Sequence, residues 1–142
     1  MRTFTQQLTP PVWQGHVKAA EAIGDTYYWG QGAAIDHTRA MAAYKVGGEG
    51  GNVACQYQVG MMYIHGRGVA VDYKLARPWI EKAAAQDLPD AVSELGLMYD
   101  AGQGVTPSWR RARELFRRAI ELGAPHAVTN MQSLTKSIQK VC

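Results

Sequence analysis

The chain has 142 residues, 46% hydrophobic and 19% charged, which is enough apolar material for one domain with a continuous core and too much for a disordered segment. No apolar run nears the roughly 20 residues needed to span a bilayer. The N-terminal MRTFTQQLTPP offers no signal-peptide core, which makes the cytoplasm the default location, and two cysteines, Cys55 and Cys142, make no disulfide framework. The net charge of +3 is uneven, because residues 109–142 hold seven basic and two acidic side chains while the remainder holds eight and ten.

Residues 1–14 read as a leading helix or cap. Phe4 and Leu8 fall 36 positions before Ala40 and Tyr44, Thr3 and Gln6 suit a capping box, and Pro10-Pro11 ends the segment, with Trp13 packing near the first repeat unit. From residue 15 the chain repeats. Ile23 to Gly32 reads IGDTYYWGQG, Val59 to Gly68 reads VGMMYIHGRG and Leu95 to Gly104 reads LGLMYDAGQG, at a constant period of 36. A fixed period of this size is the mark of a stacked repeat array. The units are 15–50, 51–86 and 87–122, each written as two helices, A then B.

Helix A carries small or apolar residues at Ala19, Ile23, Gly24 and Tyr27, at Cys55, Val59, Gly60 and Tyr63, and at Ala91, Leu95, Gly96 and Tyr99. These spacings share one helical face. A glycine inside a helix costs about 1 kcal/mol relative to alanine. Its return in all three units points to close approach of a neighbouring helix. Gly30, Gly66 and Gly102 then suit a left-handed helix end, and Gly32, Gly68 and Gly104 a chain reversal. Helix B opens at the N-cap residues Asp36, Asp72 and Ser108. Its stripe is Ala40, Ala43, Tyr44 and Gly47, then Ala76, Trp79, Ile80 and Ala83, then Ala112, Leu115, Phe116 and Ala119. The run Gly47-Gly48-Glu49-Gly50-Gly51 is expected to fray the first helix B, and Pro78 to kink the second. Helix B ends near Gly51, Asp87 and Gly123, after which Asn52 caps the next helix A, or Pro89 and Pro125 take its first position. Residues 123–142 read as a C-terminal capping helix, with Ala127, Met131, Leu134, Ile138 and Val141 on one side and Gln132 in the slot of Gly96.

These spaced residues resemble the Sel-one-like repeat (SLR) family, relatives of the tetratricopeptide repeats. The family's pattern is met by Cys55, Val59, Gly60, Tyr63, Gly66, Gly68, Asp72, Ala76, Trp79 and Ala83. It is met again by Ala91, Leu95, Gly96, Tyr99, Gly102, Gly104, Ala112, Leu115, Ala119 and Gly123. Ala33, Ala43 and Asp87 depart from it. The resemblance implies an all-α fold, a right-handed α-α superhelix or solenoid of three two-helix repeats with terminal capping helices. It further implies a non-catalytic adaptor or scaffold that binds a protein or peptide and needs no cofactor.

In tetratricopeptide-like arrays helix A lines a concave face. Carrying those positions over gives Glu21, Asp25, Tyr28 and Trp29 in the first unit, Tyr57, Gln58, Met61 and His65 in the second, and Glu94 and Leu97 in the third. The aromatic and apolar members suit anchors for a peptide, and the acidic ones favour a peptide of some basic character.

Arg110, Arg111, Arg113, Arg117 and Arg118 fall opposite Ala112, Leu115, Phe116 and Ala119 on the third helix B. A solvated outer face accounts for them. The alternative is a sequence-independent binder of nucleic acid or of an acidic partner. Trp109 and Phe116 read as core residues, leaving no aromatic to stack on bases, and a nucleic-acid partner is therefore not expected. Four histidines, His16, His37, His65 and His126, share no ligand spacing with the cysteines, and no framed nucleophile is present. A hydrolase is accordingly the third reading, and neither enzymatic activity nor a metal is expected.

Overall fold

The structure is a computed structural model that describes residues 10–141, with side-chain environments described for residues 16–140. Among these residues there are seven helices and no strand. They are α1 (Pro10–Trp29), α2 (His37–Glu49), α3 (Val53–His65), α4 (Tyr73–Ala85), α5 (Pro89–Ala101), α6 (Trp109–Glu121) and α7 (Ala127–Val141). They divide into two compact units, Met1–Val71 and Asp72–Cys142.

The helix ends follow from their sequence. Asp36, Asn52, Asp72 and Ser108 are extended in backbone, and each side chain accepts the amide of the residue three further on, namely Arg39, Cys55, Leu75 and Arg111. Each such cap contributes about 1 kcal/mol. At the other end, α2, α4 and α6 close alike. The amides of Asn52, Leu88 and Ala124 return to the carbonyls of Gly47, Ala83 and Ala119, across a left-handed residue at Gly51, Asp87 or Gly123. This is the six-to-one bond of a Schellman motif. Asp87 is the only non-glycine with positive φ among the described residues, at 61°.

In the first unit α2 packs on both α1 and α3. Ala20, Ala40, Met41, Tyr44 and Cys55 are buried. Gly24 lies under the Tyr44 ring, and Gly47 faces Cys55 and Ala20, so both glycines are places where side chains from another helix fill the missing Cβ. The glycine-rich end of α2 is therefore packed. Gly47 and Gly48 are buried, the helix continues to Glu49, and the Gly48 carbonyl accepts Nε2 of Gln56 at 3.0 Å, which corrects the expected fraying. The loop after α3 also depends on a missing side chain. Gly68 has φ 73°, and a Cβ there would meet the His37 carbonyl oxygen at 2.5 Å.

In the second unit α4 packs on α5, α5 on α6 and α6 on α7. The core around α6 is Ala112, Phe116 and Leu134, flanked by Leu97, Tyr99, Met131 and Ile138. Burying a residue such as Phe116 stabilises by about 2–3 kcal/mol. Gly96 admits its ring, as Gly24 admits Tyr44. Helix α4 runs unbroken through Pro78, which is exposed. Pro89 takes the first helical position of α5 as expected. Pro125 does not do so for α7, because it stands in a turn two residues ahead, where the amide of Ala127 bonds to the carbonyl of Ala124.

The start of the chain differs from the sequence reading. Helix α1 already begins at Pro10, where two prolines lack only amides that a first turn leaves unbonded. The expected leading helix, and the packing of Trp13, lie outside the described residues and side chains. Ala19 and Ile23 are exposed, Ile23 at 46%, whereas the matching Cys55, Val59, Ala91 and Leu95 are buried. Among the described residues no helix precedes α1 to cover them.

Candidate functional site

Two surfaces gather the residues singled out above, one in each unit. The first lies along α1 and α3. Helix α3 buries Cys55, Gln56, Val59, Gly60, Met62 and Tyr63, which leaves Tyr57, Gln58, Met61 and Ile64 half-buried and His65 exposed. At the end of α1, Trp29 is 58% exposed. Its ring meets Tyr28 edge-on, with centroids 4.7 Å apart.

Tyr28 is buried, so it is the base of this surface and not an exposed anchor. His37 and Tyr44 stand 5.0 and 6.2 Å from its ring. The Arg67 guanidinium lies over the ring at 5.8 Å and donates to the phenol oxygen. A hydrogen bond and a cation–π contact thus tie the loop after α3 to the end of α1.

The two acidic residues expected beside the anchors also hold the fold together. The Tyr44 hydroxyl donates to Oδ1 of Asp25 at 2.5 Å, and Nδ2 of Asn52 donates to Oε2 of Glu21 at 3.0 Å. Burial first, and then the Asp25 hydrogen bond and charge, push the Tyr44 phenol far above its ordinary value. Burial, with smaller contributions from Glu21 and Asp25, pushes the Cys55 thiol up to about 12. Cys55 is a small core residue, protonated at neutral pH.

In the second unit, Leu97 packs against the Phe116 core and Ser93 is buried, accepting Nδ2 of Asn130 at 3.1 Å. Glu94 is half-buried, and desolvation raises its carboxyl above the ordinary value.

The arginine surface is the outer face of α6. Arg110, Arg111, Arg113, Arg117 and Arg118 are all exposed. Arg118 is committed to the fold through an ion pair with Asp87, and Arg111 lies over the Tyr99 ring at 5.7 Å. Arg110 and Arg113 lie over the Trp109 ring at 5.5 and 5.6 Å. Phe116 is fully buried as expected, but Trp109 is 43% exposed, which corrects its reading as core. Its helical phase lies only about 20° from that of Phe116. The exposure therefore follows from its place at the first position of α6, directly after the N-cap Ser108 and at the edge of the stripe that begins at Ala112. His37 and Tyr73 occupy the same position two periods and one period earlier, a signal already present in the sequence.

Two hollows complete the surface. One of about 450 Å³ opens beside the α5–α6 loop between Arg77, Tyr99 and Arg111. The other, of about 310 Å³, lies between α1 and α2 over Ala20, Ile23, Ala43 and Val46. Among the described residues no group of three or more His, Cys, Asp or Glu is placed to hold a metal ion, and no helix is long and apolar enough to cross a membrane.

A family model described as Sel1 repeat matches residues 17–45, 53–88 and 89–123. Among solved structures, the chain is similar to a protective antigen of uropathogenic Escherichia coli displaying an SLR fold. That match has 33% identity and a TM-score of 0.76, covering 89% of this chain and 27% of the antigen. It is also similar to a Sel1 repeat protein from Oxalobacter formigenes, at 31% identity and a TM-score of 0.78, covering 89% of this chain and 51% of that one. The chain thus spans about a quarter and about half of these two structures. The cysteine rich protein B of Helicobacter pylori shares the fold at 23% identity and a TM-score of 0.66, over 89% of this chain and 96% of that one. No curated protein matches.

Proposed function

Because the chain belongs to the Sel1 repeat family and has its all-α SLR fold, we propose that it is a non-catalytic interaction module that captures a protein or peptide segment. Sel1 repeats generally serve as protein-interaction scaffolds. In this reading the capture surface of the first unit runs from Trp29 to the outward side of α3, at Tyr57, Gln58, Met61 and His65.

The observation that carries the reading is Trp29, a large apolar side chain left 58% exposed against a base that cannot yield. Tyr28 beneath it is buried, bonded through its hydroxyl and covered by Arg67. A large exposed aromatic resting on a buried neighbour offers apolar area at a small cost in side-chain freedom, and tryptophan is a frequent hot spot. Glu21 and Asp25, hydrogen-bonded to Asn52 and Tyr44, serve in this reading as the frame of the surface, and Leu97 packs against the Phe116 core of the other unit.

The test is capture from native extract on the immobilised chain, followed by affinity measurement with each purified partner. Trp29→Ala with Met61→Ala should weaken binding at least tenfold, the usual scale for loss of a hot spot, with the melting temperature held. Unchanged affinity in that variant removes the surface from the proposal.

A further inference from the structure

The geometry points to a second docking surface, the outer edge of α6, whose occupant is an acidic amphipathic protein segment. Its residues are Trp109, Arg110, Arg113, Arg117 and Ile120. At 100° per residue the three arginines fall within an arc of about 60° and span about 10 Å along the axis, with Trp109 and Ile120 bordering them on one side.

Three observations set this edge apart from an ordinary solvated face. First, Arg110, Arg113 and Arg117 form no ion pair among the described residues, although Glu114 and Glu121 share the helix. They are therefore open to a partner's carboxylates, while Arg118, on the other flank, is already paired with Asp87. Second, two large apolar side chains are exposed on the same edge, Trp109 at 43% and Ile120 at 37%. Third, Ile120 stands where the earlier units place Gly48 and Ala84, both buried. In the third unit this position instead carries a large apolar side chain that is partly open to solvent.

Together these features describe the partner. Carboxylates at helical spacing meet the arginines, and an adjoining apolar stripe covers Trp109 and Ile120. Nucleic acid fits less well. The one exposed aromatic of the edge already has two guanidinium groups over its ring, which a stacking base would have to displace. Ile120 offers nothing to a phosphate, and Glu114 and Glu121 sit beside the arginines, where a continuous polyanion would meet them. A protein segment places discrete charges and can avoid both.

The experiment titrates the full chain with three fluorescent probes. The first is a synthetic helical peptide with glutamates at i, i+3 and i+7 beside a leucine stripe. The second is a peptide of the same composition with that pattern scrambled, and the third is oligothymidylate. The patterned peptide should bind at least tenfold more tightly than the scrambled one. The double variant Arg113→Glu, Arg117→Glu and the single variant Trp109→Ala should each weaken it about tenfold, and Trp29→Ala should leave it unchanged. All these residues are exposed, and melting curves check the fold, with the Gln pair at 113 and 117 replacing the Glu pair if that unfolds. Equal binding of the two peptides would reduce the edge to a general charge field and overturn the proposal. Tighter binding of oligothymidylate, lost in the same arginine variant, would overturn it in favour of nucleic acid. Absence of binding to the patterned peptide would also overturn it, whatever becomes of the Trp29 surface.

Discussion

The Tyr44 ring lies directly over Gly24, so close that a Cβ on Gly24 would stand 2.5 Å from Cδ1 of the ring. Phe116 and Gly96 repeat the relationship in the second unit, at 2.6 Å to Cε1. Neither ring has room to retreat, since both are fully buried and Tyr44 is also held through its hydroxyl by Asp25. Gly24→Ala and Gly96→Ala should therefore destabilise despite better helix propensity. Overpacking costs about 1–3 kcal/mol and the propensity gain returns about 1, which leaves a net loss of about 1–2 kcal/mol. Urea unfolding measures it, and a stabilised variant at either position would show that the helices separate freely.

Asp87 holds a left-handed backbone where the other two units have glycine. That conformation costs a residue with Cβ about 1–2 kcal/mol, while its exposed ion pair with Arg118 contributes about 0–1. Asp87→Gly should be neutral to about 1 kcal/mol stabilising, and Asp87→Ala about 1 kcal/mol destabilising, because alanine keeps the strain and loses the pair. Thermal melts of both decide the order, and the reverse order contradicts the account.

Cys55 should resist alkylation in the folded chain. A thiol raised to about 12 is almost wholly protonated at pH 8, so its thiolate fraction is roughly 10³-fold below that of a free cysteine. In a Cys142→Ser background, labelling should follow the rate of opening and not the reagent's reactivity. Labelling at the rate of a model thiol would place Cys55 outside the core.

Glu94 gives a pH dependence of known sign. Burial raises its folded value above the ordinary 4.5, so the fold binds this proton more tightly than the unfolded chain does. The contribution to stability is fully present below 4.5 and is lost as pH rises through the raised value. Glu94→Gln removes the titration, and should gain stability over the parent at pH 7 relative to the difference at pH 4. Urea midpoints at the two values test this, and an equal difference at both would exclude desolvation as the cause.

The residues alone carried the architecture. The period of 36 and the close-approach glycines are legible because the sequence repeats them. The caps at Asp36, Asn52, Asp72 and Ser108, the helix ends at Gly51, Asp87 and Gly123 and the outward arginines rest on hydrogen bonds and spacings within one or two turns. Such local rules hold wherever the helix is placed. The roles of the site residues were decided elsewhere. Tyr28 is buried because Arg67 arrives from 39 positions away. Asp25 and Glu21 are occupied because Tyr44 and Asn52 reach them from 19 and 31 positions away. Trp29 and Trp109 stay exposed because no described side chain covers them completely. Helical phase tells which way a side chain leaves its own helix, but what it meets there depends on chain distant in sequence, and only the assembled helices supply that.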